Sequence, residues 1–174
     1  RRSLAQTGTP PPSFMIMRPS SQLIKMITDP PRNALYPAQN LDGDIFSDIA
    51  AALGGSLATA SSIIESENGC MLFEAPHGTA HDLYIRYRES DGREAHFNPS
   101  ALIYAVANAL DVIGEREENQ PLVDYARGLK RALIHTVDDF IITADLKGKS
   151  TSPDSEQVVD MNGFLDAVEA RLMA

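Results

Sequence analysis

The chain has 174 residues, of which 43% are hydrophobic, so it is long enough for one domain with a buried core. Its net charge of −9 excludes an extended nucleic-acid or anionic membrane surface, because such surfaces need clustered Lys and Arg side chains. No apolar run approaches the roughly 18 residues that cross a bilayer, and no secretory signal opens the chain, so a soluble protein is predicted.

The first predicted elements are an irregular arm and a short helix. Residues 1–21 contain three consecutive prolines and no helical or strand period, so we predict an arm there and a single domain over residues 22–174. The sequence QLIKMI from Gln22 predicts a short amphipathic helix that ends before Pro30. Residues 34–39, ALYPAQ, predict a short strand.

A helix with two acidic residues on one face is predicted next. Residues 44–55, DIFSDIAAALGG, have helical apolar spacing and end in two glycines. Asp44 and Asp48 are four residues apart, so both carboxylates project from one face and could bind a hard cation such as Mg²⁺ or Mn²⁺. Alternatively, Asp44 only caps the helix and Asp48 is a solvated surface charge.

Two β-capable segments follow. Residues 56–64, SLATASSII, and residues 70–76, CMLFEAP, predict strands that pass through a core, separated by a turn. The single Cys70 lies in the apolar run and predicts a buried, unreactive thiol. Such a thiol is typical of a protein from the cytoplasm or, in a eukaryote, the mitochondrial matrix.

A polar stretch then predicts a loop, with a hairpin as one option. Residues 77–97 contain Asp91-Gly92 and many charges. The sequence EAPHGTA at its start could wrap a nucleotide with backbone amides and the His77 imidazole, although His77 could equally be an ordinary hydrogen-bonded loop residue. Neither GxGxxG nor GxxxxGK[ST] occurs, so no Rossmann or P-loop fingerprint is present.

The last third of the chain predicts three helices. Asn98-Pro99 supplies an N-cap and a first helical proline for a helix over about residues 100–114 that packs on the sheet. A second helix is predicted from about Pro121 to Val137. Its apolar face consists of Leu122, Tyr125, Leu129, Ala132 and Leu133. A linker at residues 147–157 leads to a last helix, MNGFLDAVEARL.

Taken in order, several segments resemble the isocitrate and isopropylmalate dehydrogenase family. They are NLDGDIFSD at 40–48, GGSL at 54–57, EAPHGTA at 74–80 and NPSAL at 98–102. The spacing agrees over residues 22–113, and TADL at 143–146 and FLD at 164–166 resemble isocitrate dehydrogenases in particular. The resemblance implies an α/β fold, the C-terminal part of the isocitrate/isopropylmalate dehydrogenase-like fold, with helices packed on a mixed sheet.

The resemblance also implies roles for individual residues. Asp44 and Asp48 match two carboxylates that bind the divalent metal, which holds the hydroxy-acid substrate and stabilises the enolate formed after CO₂ loss. The cofactor-binding matches are Glu74, His77, Gly78, Thr79, Ala80 and Asn98, the last meeting the adenine. This family uses no Rossmann domain, which accounts for the missing fingerprint.

Charge favours NAD over NADP as the cofactor. NADP-dependent members place basic or hydroxyl side chains after HGTA, where this chain has Asp82 and Leu83. A carboxylate repels a 2′-phosphate but accepts hydrogen bonds from a free ribose hydroxyl, so Asp82 predicts NAD. The later phosphate-contacting positions, here Ala144 and Gly148, add no cation, although basic Arg86 and Arg88 lie in the predicted loop.

The chain also departs from the family pattern. Complete members are about twice its length or more, and no catalytic residue can be assigned here, since the substrate-binding residues and the proton-transfer Tyr and Lys belong to the absent N-terminal half. The family forms dimers with a shared active site, to which a third metal-binding Asp in a D-x-A element contributes. Met17-Arg18-Pro19 stands at that place.

The codons of residues 14–18, shifted by two nucleotides, can encode His-Asp-Asn-Ala, so we hypothesise that residues 1 to about 19 are out of frame. The resulting prediction is a partial chain of an NAD-dependent isocitrate dehydrogenase. Isopropylmalate, homoisocitrate and tartrate dehydrogenases are alternatives within the family. Two further alternatives lie outside these enzymes. They are a regulatory subunit without catalytic activity and an α/β domain with chance motifs.

Overall fold

A computed structural model of the chain describes residues 17–29, 35–76, 81–91 and 97–174. The chain divides into two compact units, Arg1–Ala50 and Ala51–Ala174. Most of the predicted arm, including the greater part of the segment hypothesised to be out of frame, lies outside the described residues.

The described residues of the first unit include one complete helix and most of a second. Helix α1 (Pro19–Thr28) ends where the Asp29 N–H bonds to the Lys25 carbonyl, which confirms the short helix predicted there. It begins three residues earlier than predicted, with Pro19 in its first turn, so residues 19–21 are helical and not part of an irregular arm. Helix α2 (Asn40–Leu53) begins four residues earlier than predicted. Residues 35–39 have no regular structure, so the strand predicted there is wrong over its described part: Pro37 has no N–H for a ladder.

Glycine ends α2 as predicted, and a β-hairpin follows. Gly55 has a φ of 104°, a conformation open to glycine without a steric penalty, and its N–H bonds to the Ala52 carbonyl at 3.1 Å. A 3₁₀ turn at Leu57–Thr59 precedes strand β1 (Ser62–Glu65), which pairs antiparallel with strand β2 (Met71–Glu74). The predicted strands are therefore confirmed, though shorter.

The hairpin is not a buried core element. Ile63, Ile64 and Leu72 remain about half exposed, and Cys70, directly before β2, is exposed. The prediction of a buried Cys70 is wrong because the residue lies beside the hairpin turn, where Ser66 N–H bonds to its carbonyl oxygen.

The predicted polar loop contains a helix. Helix α3 (His81–Glu89) occupies the middle of it, whereas residues 77–80 and 92–96 lie outside the described residues. The loop was predicted because the segment is rich in charged residues. However, residues 81–89 contain no Gly or Pro, and charged side chains are compatible with a helix. Arg86 and Arg88 lie in the last turn, where cations favour the helix dipole.

Helices α4 (Ser100–Arg116) and α5 (Gln120–Asp138) are packed closely against each other, and α4 also contacts β2. Gly114 of α4 lies close to Val123 of α5, and both helices bury small residues such as Ala101, Ala105 and Ala126. Both helices match their predicted ranges, but Tyr125 is 50% exposed, so the predicted apolar face of α5 is wrong at that residue.

The C-terminal region is more ordered than predicted. Strand β3 (Ile141–Ile142) pairs in parallel with strand β4 (Gln157–Val158), and 3₁₀ turns at Ala144–Leu146 and Pro153–Ser155 lie between them. The predicted linker is therefore a structured crossover. Helix α6 (Met161–Leu172) follows as predicted. Among the described residues the strands form two separate two-stranded sheets, which corrects the predicted single mixed sheet.

The core of the second unit lies between α5 and α6. Ala132, Leu133, Phe164 and Val168 are buried together, and Phe164 has no exposed surface. Within the part of the chain that the structure describes, no helix has the length and apolar character needed to span a membrane.

Replacing Gly114 by Ala is expected to destabilise the protein by about 1–3 kcal/mol. A Cβ at this position would lie 2.8 Å from Val123 Cγ2 and 3.0 Å from the Val123 backbone nitrogen, so α4 and α5 would have to separate. The matched control is Gly128→Ala, where the new Cβ would meet the ends of two flexible side chains, Leu172 at 3.3 Å and Arg131 at 4.0 Å. We expect that control to be neutral or to gain up to about 1 kcal/mol from helix propensity. Urea unfolding measures both, and equal losses would contradict the close approach.

An ionic network joins α4 to α5 and makes stability depend on pH. Asp111 accepts from Lys130 at 2.8 Å and from Arg127 at 3.2 Å. The hydrogen bond from Lys130 is the largest influence and lowers the pKa of Asp111, and the nearby charges outweigh an opposing desolvation. A lowered folded pKa means that this stabilisation is complete above the unfolded pKa of about 3.9 and is lost as pH falls through the folded value.

The Asp111→Asn variant is therefore expected to be about 1 kcal/mol less stable than the parent at pH 7. This difference should shrink in urea unfolding experiments below about pH 4. Asp124→Asn removes a carboxylate that, among the described residues, accepts only from Gln120, so this variant should stay within about 0.5 kcal/mol of the parent. A pH-independent loss in the Asp111 variant would contradict the ionic role.

Candidate functional site

The two acidic residues predicted to bind metal lie on the same face of α2. Asp44 is the fifth residue of a helix that begins at Asn40, so it cannot be the N-cap, and the capping alternative is wrong. Asp48 follows one turn later. Both side chains are exposed, and the only Asp44 atom in a described side-chain hydrogen bond is its backbone oxygen, which accepts from Ser47. Within the ranges that the structure describes, neither carboxylate has a hydrogen-bond or ion-pair partner.

The chemistry of this pair fits part of a Mg²⁺ or Mn²⁺ site. Hard divalent cations prefer carboxylate oxygens, and Mg²⁺ commonly keeps several waters while using one or two carboxylates. No group of three His, Cys, Asp or Glu residues suited to a metal occurs in the described ranges. A metal held by this pair would need further ligands from outside these described residues, for example water.

Asn98 is a buried member of a polar cluster at the start of α4, in which Asp145 is exposed. It is 4% exposed, its Nδ2 donates to Asp145 Oδ2 at 2.9 Å, and its Oδ1 accepts from the Ser100 N–H at 3.0 Å. Pro99 directly precedes the helix and makes no side-chain capping bond, so the helix starts one residue later than predicted. The Asn98 side chain still accepts from the first helical N–H, as its predicted capping role requires. The two bonds fix the orientation of the carboxamide.

Asp145 is the central acceptor of this cluster. Thr143 Oγ1 donates to its Oδ1 at 2.5 Å. Partial desolvation is the largest influence and opposes ionisation, but hydrogen bonds from Asn98, Ser56 and Thr143 outweigh it and lower the pKa of Asp145. The sequence analysis assigns no site role to Asp145 beyond its place in TADL. The only signal that could have indicated such a role is that a buried Asn98 needs a polar partner.

Several hydrogen-bonding groups of this cluster have no described partner and could bind a polar ligand. The Ser100 hydroxyl oxygen is buried and has no hydrogen-bond partner among the described residues. One Nδ2 hydrogen of Asn98 and further lone pairs of Asp145 are also unused in the described bonds. Donors and acceptors side by side suit the edge of a purine ring such as adenine.

The other predicted cofactor residues have different outcomes. Glu74 is in β2, and its Oε1 accepts from Ser62 Oγ at 2.8 Å across the hairpin. His77, Gly78, Thr79 and Ala80 lie outside the described residues. Asp82 is in the first turn of α3. The structure therefore brings together Asn98 with the unpredicted Asp145 and Thr143.

Comparison with known proteins gives a consistent result. The family model described as isocitrate/isopropylmalate dehydrogenase matches residues 20–167. The mitochondrial isocitrate dehydrogenase [NADP] of Sus scrofa is 32% identical over 143 residues, which cover 79% of this chain and 34% of that protein. The corresponding mitochondrial enzyme of Candida tropicalis is 37% identical over 136 residues, covering 77% of this chain and 31% of its own. The chain spans about a third of the length of these relatives.

Proposed function

Because the chain belongs to the isocitrate/isopropylmalate dehydrogenase family, we propose that it supplies metal-binding and cofactor-binding residues to an enzyme that oxidises and decarboxylates isocitrate with NAD. The observation that carries this proposal is the exposed carboxylate pair of Asp44 and Asp48, one turn apart on α2 and without a described partner.

In this proposal Asp44 and Asp48 hold Mg²⁺ or Mn²⁺. The ion, when bound, supplies Lewis-acid stabilisation of negative charge on a substrate oxygen. The α2 backbone fixes the spacing of the two carboxylates, so they are positioned for a cation before it arrives. This arrangement favours a catalytic role over the alternative of a purely regulatory subunit, which has no need of a free carboxylate pair.

Asn98 and Asp145 are proposed to bind the adenine of the cofactor. The free Nδ2 hydrogen of Asn98 can donate to a ring nitrogen, and the ionised Asp145 can accept from the exocyclic amino group. Thr143 and Ser56 hold Asp145 in place. Glu74 and residues 77–80 are proposed to contact the rest of the nucleotide.

The choice of NAD rests on residue 82. The named relatives are NADP enzymes, and the residue that follows HGTA and His81 in this chain is Asp82. A carboxylate there repels the 2′-phosphate that distinguishes NADP from NAD. The proposal also includes a homodimer with a shared active site, working in the cytoplasm or the mitochondrial matrix.

A substrate and cofactor panel tests the proposed function. We expect a full-length enzyme that contains residues 20–174 to reduce NAD with isocitrate and Mg²⁺, more efficiently than it reduces NADP. Isopropylmalate, homoisocitrate and tartrate serve as competing substrates. A preference for any of these would replace isocitrate in the proposal, and absence of turnover with all four would favour the regulatory subunit.

A further inference from the structure

In the crossover between β3 and β4, two backbone N–H groups hold the side-chain carboxylate of Glu156. Glu156 Oε2 accepts from the Gly148 backbone N–H at 2.8 Å, and its Oε1 accepts from the Ser150 backbone N–H at 3.2 Å. Gly148 has a φ of 74°, which glycine adopts without strain and which lets these amides face one acceptor. An amide pair of this kind would otherwise be available to an external anion.

Other bonds anchor this loop. Lys149 Nζ donates to the Gly55 carbonyl oxygen, and the Lys147 N–H donates to the Ala144 carbonyl at 3.4 Å. The hydrogen bond from Gly148 is the largest of the influences that lower the pKa of Glu156. The positive charge of Lys147 lowers this pKa further. Two backbone amides thus hold the negative charge of Glu156 in place beside a lysine.

We propose that Glu156 is a specificity-determining residue that excludes a ribose 2′-phosphate and accepts hydrogen bonds from the free ribose hydroxyls of NAD. This inference rests on the proposed function, because it takes Asn98 and Asp145 as the adenine site. The observation that supports it independently is that the Glu156 carboxylate occupies two backbone amides, which could otherwise bind a phosphate.

The hydrogen bond from Gly148 holds the Glu156 carboxylate beside a residue that is close in the chain to Asp145. Gly148, which holds Glu156, is three residues after Asp145, and three residues span at most about 11 Å. A compact 3₁₀ turn at Ala144–Leu146 shortens this further. The ribose is bonded directly to the adenine ring, so it must lie close to the ring's binding residues.

The carboxylate of Glu156 would interact differently with NAD and with NADP. A carboxylate has about four acceptor positions, and the described bonds to Gly148 and Ser150 use two of them. The remaining positions can accept from ribose hydroxyls, as an acidic residue does in other NAD-binding sites. A phosphate dianion has no proton to donate and is repelled. The sequence indicated only that Gly148 adds no cation, whereas the structure places an anion on its amide.

Calorimetric binding of adenosine and adenosine 2′-phosphate tests the role of Glu156 without requiring turnover. With the full chain, we expect adenosine to bind at least as tightly as its 2′-phosphate. Glu156→Gln should raise the affinity for the 2′-phosphate relative to adenosine by about tenfold, since one repulsive charge is removed. Asp154→Asn is the matched control, because it removes an exposed charge two residues away and should leave the ratio unchanged.

The outcomes distinguish this inference from the function on which it rests. Adenosine binding with the same ratio in the parent and Glu156→Gln would overturn the role of Glu156 alone, as would an equal shift in Asp154→Asn. No adenosine binding by the parent would overturn both proposals. Glu156→Asp keeps the charge, so it should keep the preference of the parent. A shift in Glu156→Asp as large as that in the Gln variant would show that loop distortion, not charge, is responsible, and would overturn the inference.

Discussion

Replacing Asp44 by Asn in a full-length enzyme that contains residues 20–174 is expected to lower kcat/KM for isocitrate by about 10²- to 10³-fold. Asn has nearly the same shape, but it loses the charge and one of the two acceptor oxygens that a hard cation needs. Several kcal/mol of transition-state stabilisation depend on such an ion, and each 1.4 kcal/mol corresponds to about a tenfold change in rate.

Asp42→Asn is the matched control for that experiment. Asp42 lies in the first turn of the same helix, and a separation of two residues places it about 200° around the helix from Asp44. We expect this variant to keep kcat/KM within about twofold of the parent, because a charge on the opposite face cannot share the ion. Similar losses in the two variants would show that net charge on α2, not metal ligation, is responsible.

Replacing Phe164 by Ala is expected to cost about 3–5 kcal/mol of unfolding free energy. The ring has no exposed surface and lies in the cluster with Leu133 and Val168. Its removal leaves a cavity between α5 and α6 that their helical backbones cannot close. Since single domains are stable by only about 5–15 kcal/mol, this one change removes a large share of the total.

Leu165→Ala tests whether position in the core, and not α6 itself, sets that cost. Leu165 is the next residue but is 38% exposed, so less apolar surface is lost and we expect a cost of about 1 kcal/mol or less. Urea unfolding followed by far-ultraviolet circular dichroism measures both variants. Equal losses would contradict the assignment of Phe164 to the centre of the core.

Helices with strong local signals were predictable from the sequence. The range of α6 agrees with its prediction, and α4 and α5 agree within about two residues, the usual uncertainty of helix ends, because their apolar residues repeat with helical spacing. Helix α3 was missed because a charged segment without a clear apolar face resembles a loop. Cys70 was misplaced because an apolar run does not show which face of a hairpin is covered.

The candidate site was predictable only where its residues are close in the sequence. Asp44 and Asp48 are separated by one helical turn, so their common face followed from their spacing. Asn98 and Asp145 are 47 residues apart, and no local pattern joins them. Glu156 was hidden in a stretch predicted to be a linker, because its partners are backbone amides, which have no signature in the sequence.

Binding of Mn²⁺ in the presence of isocitrate tests the central claim, that Asp44 and Asp48 hold a catalytic metal. Free Mn²⁺ gives an electron paramagnetic resonance signal that is lost on binding, so a titration of the full-length enzyme counts bound ions directly. We predict one ion per chain in the parent and in Asp42→Asn, and none in a variant with both Asp44→Asn and Asp48→Asn. Unchanged Mn²⁺ binding in that double variant would contradict the claim.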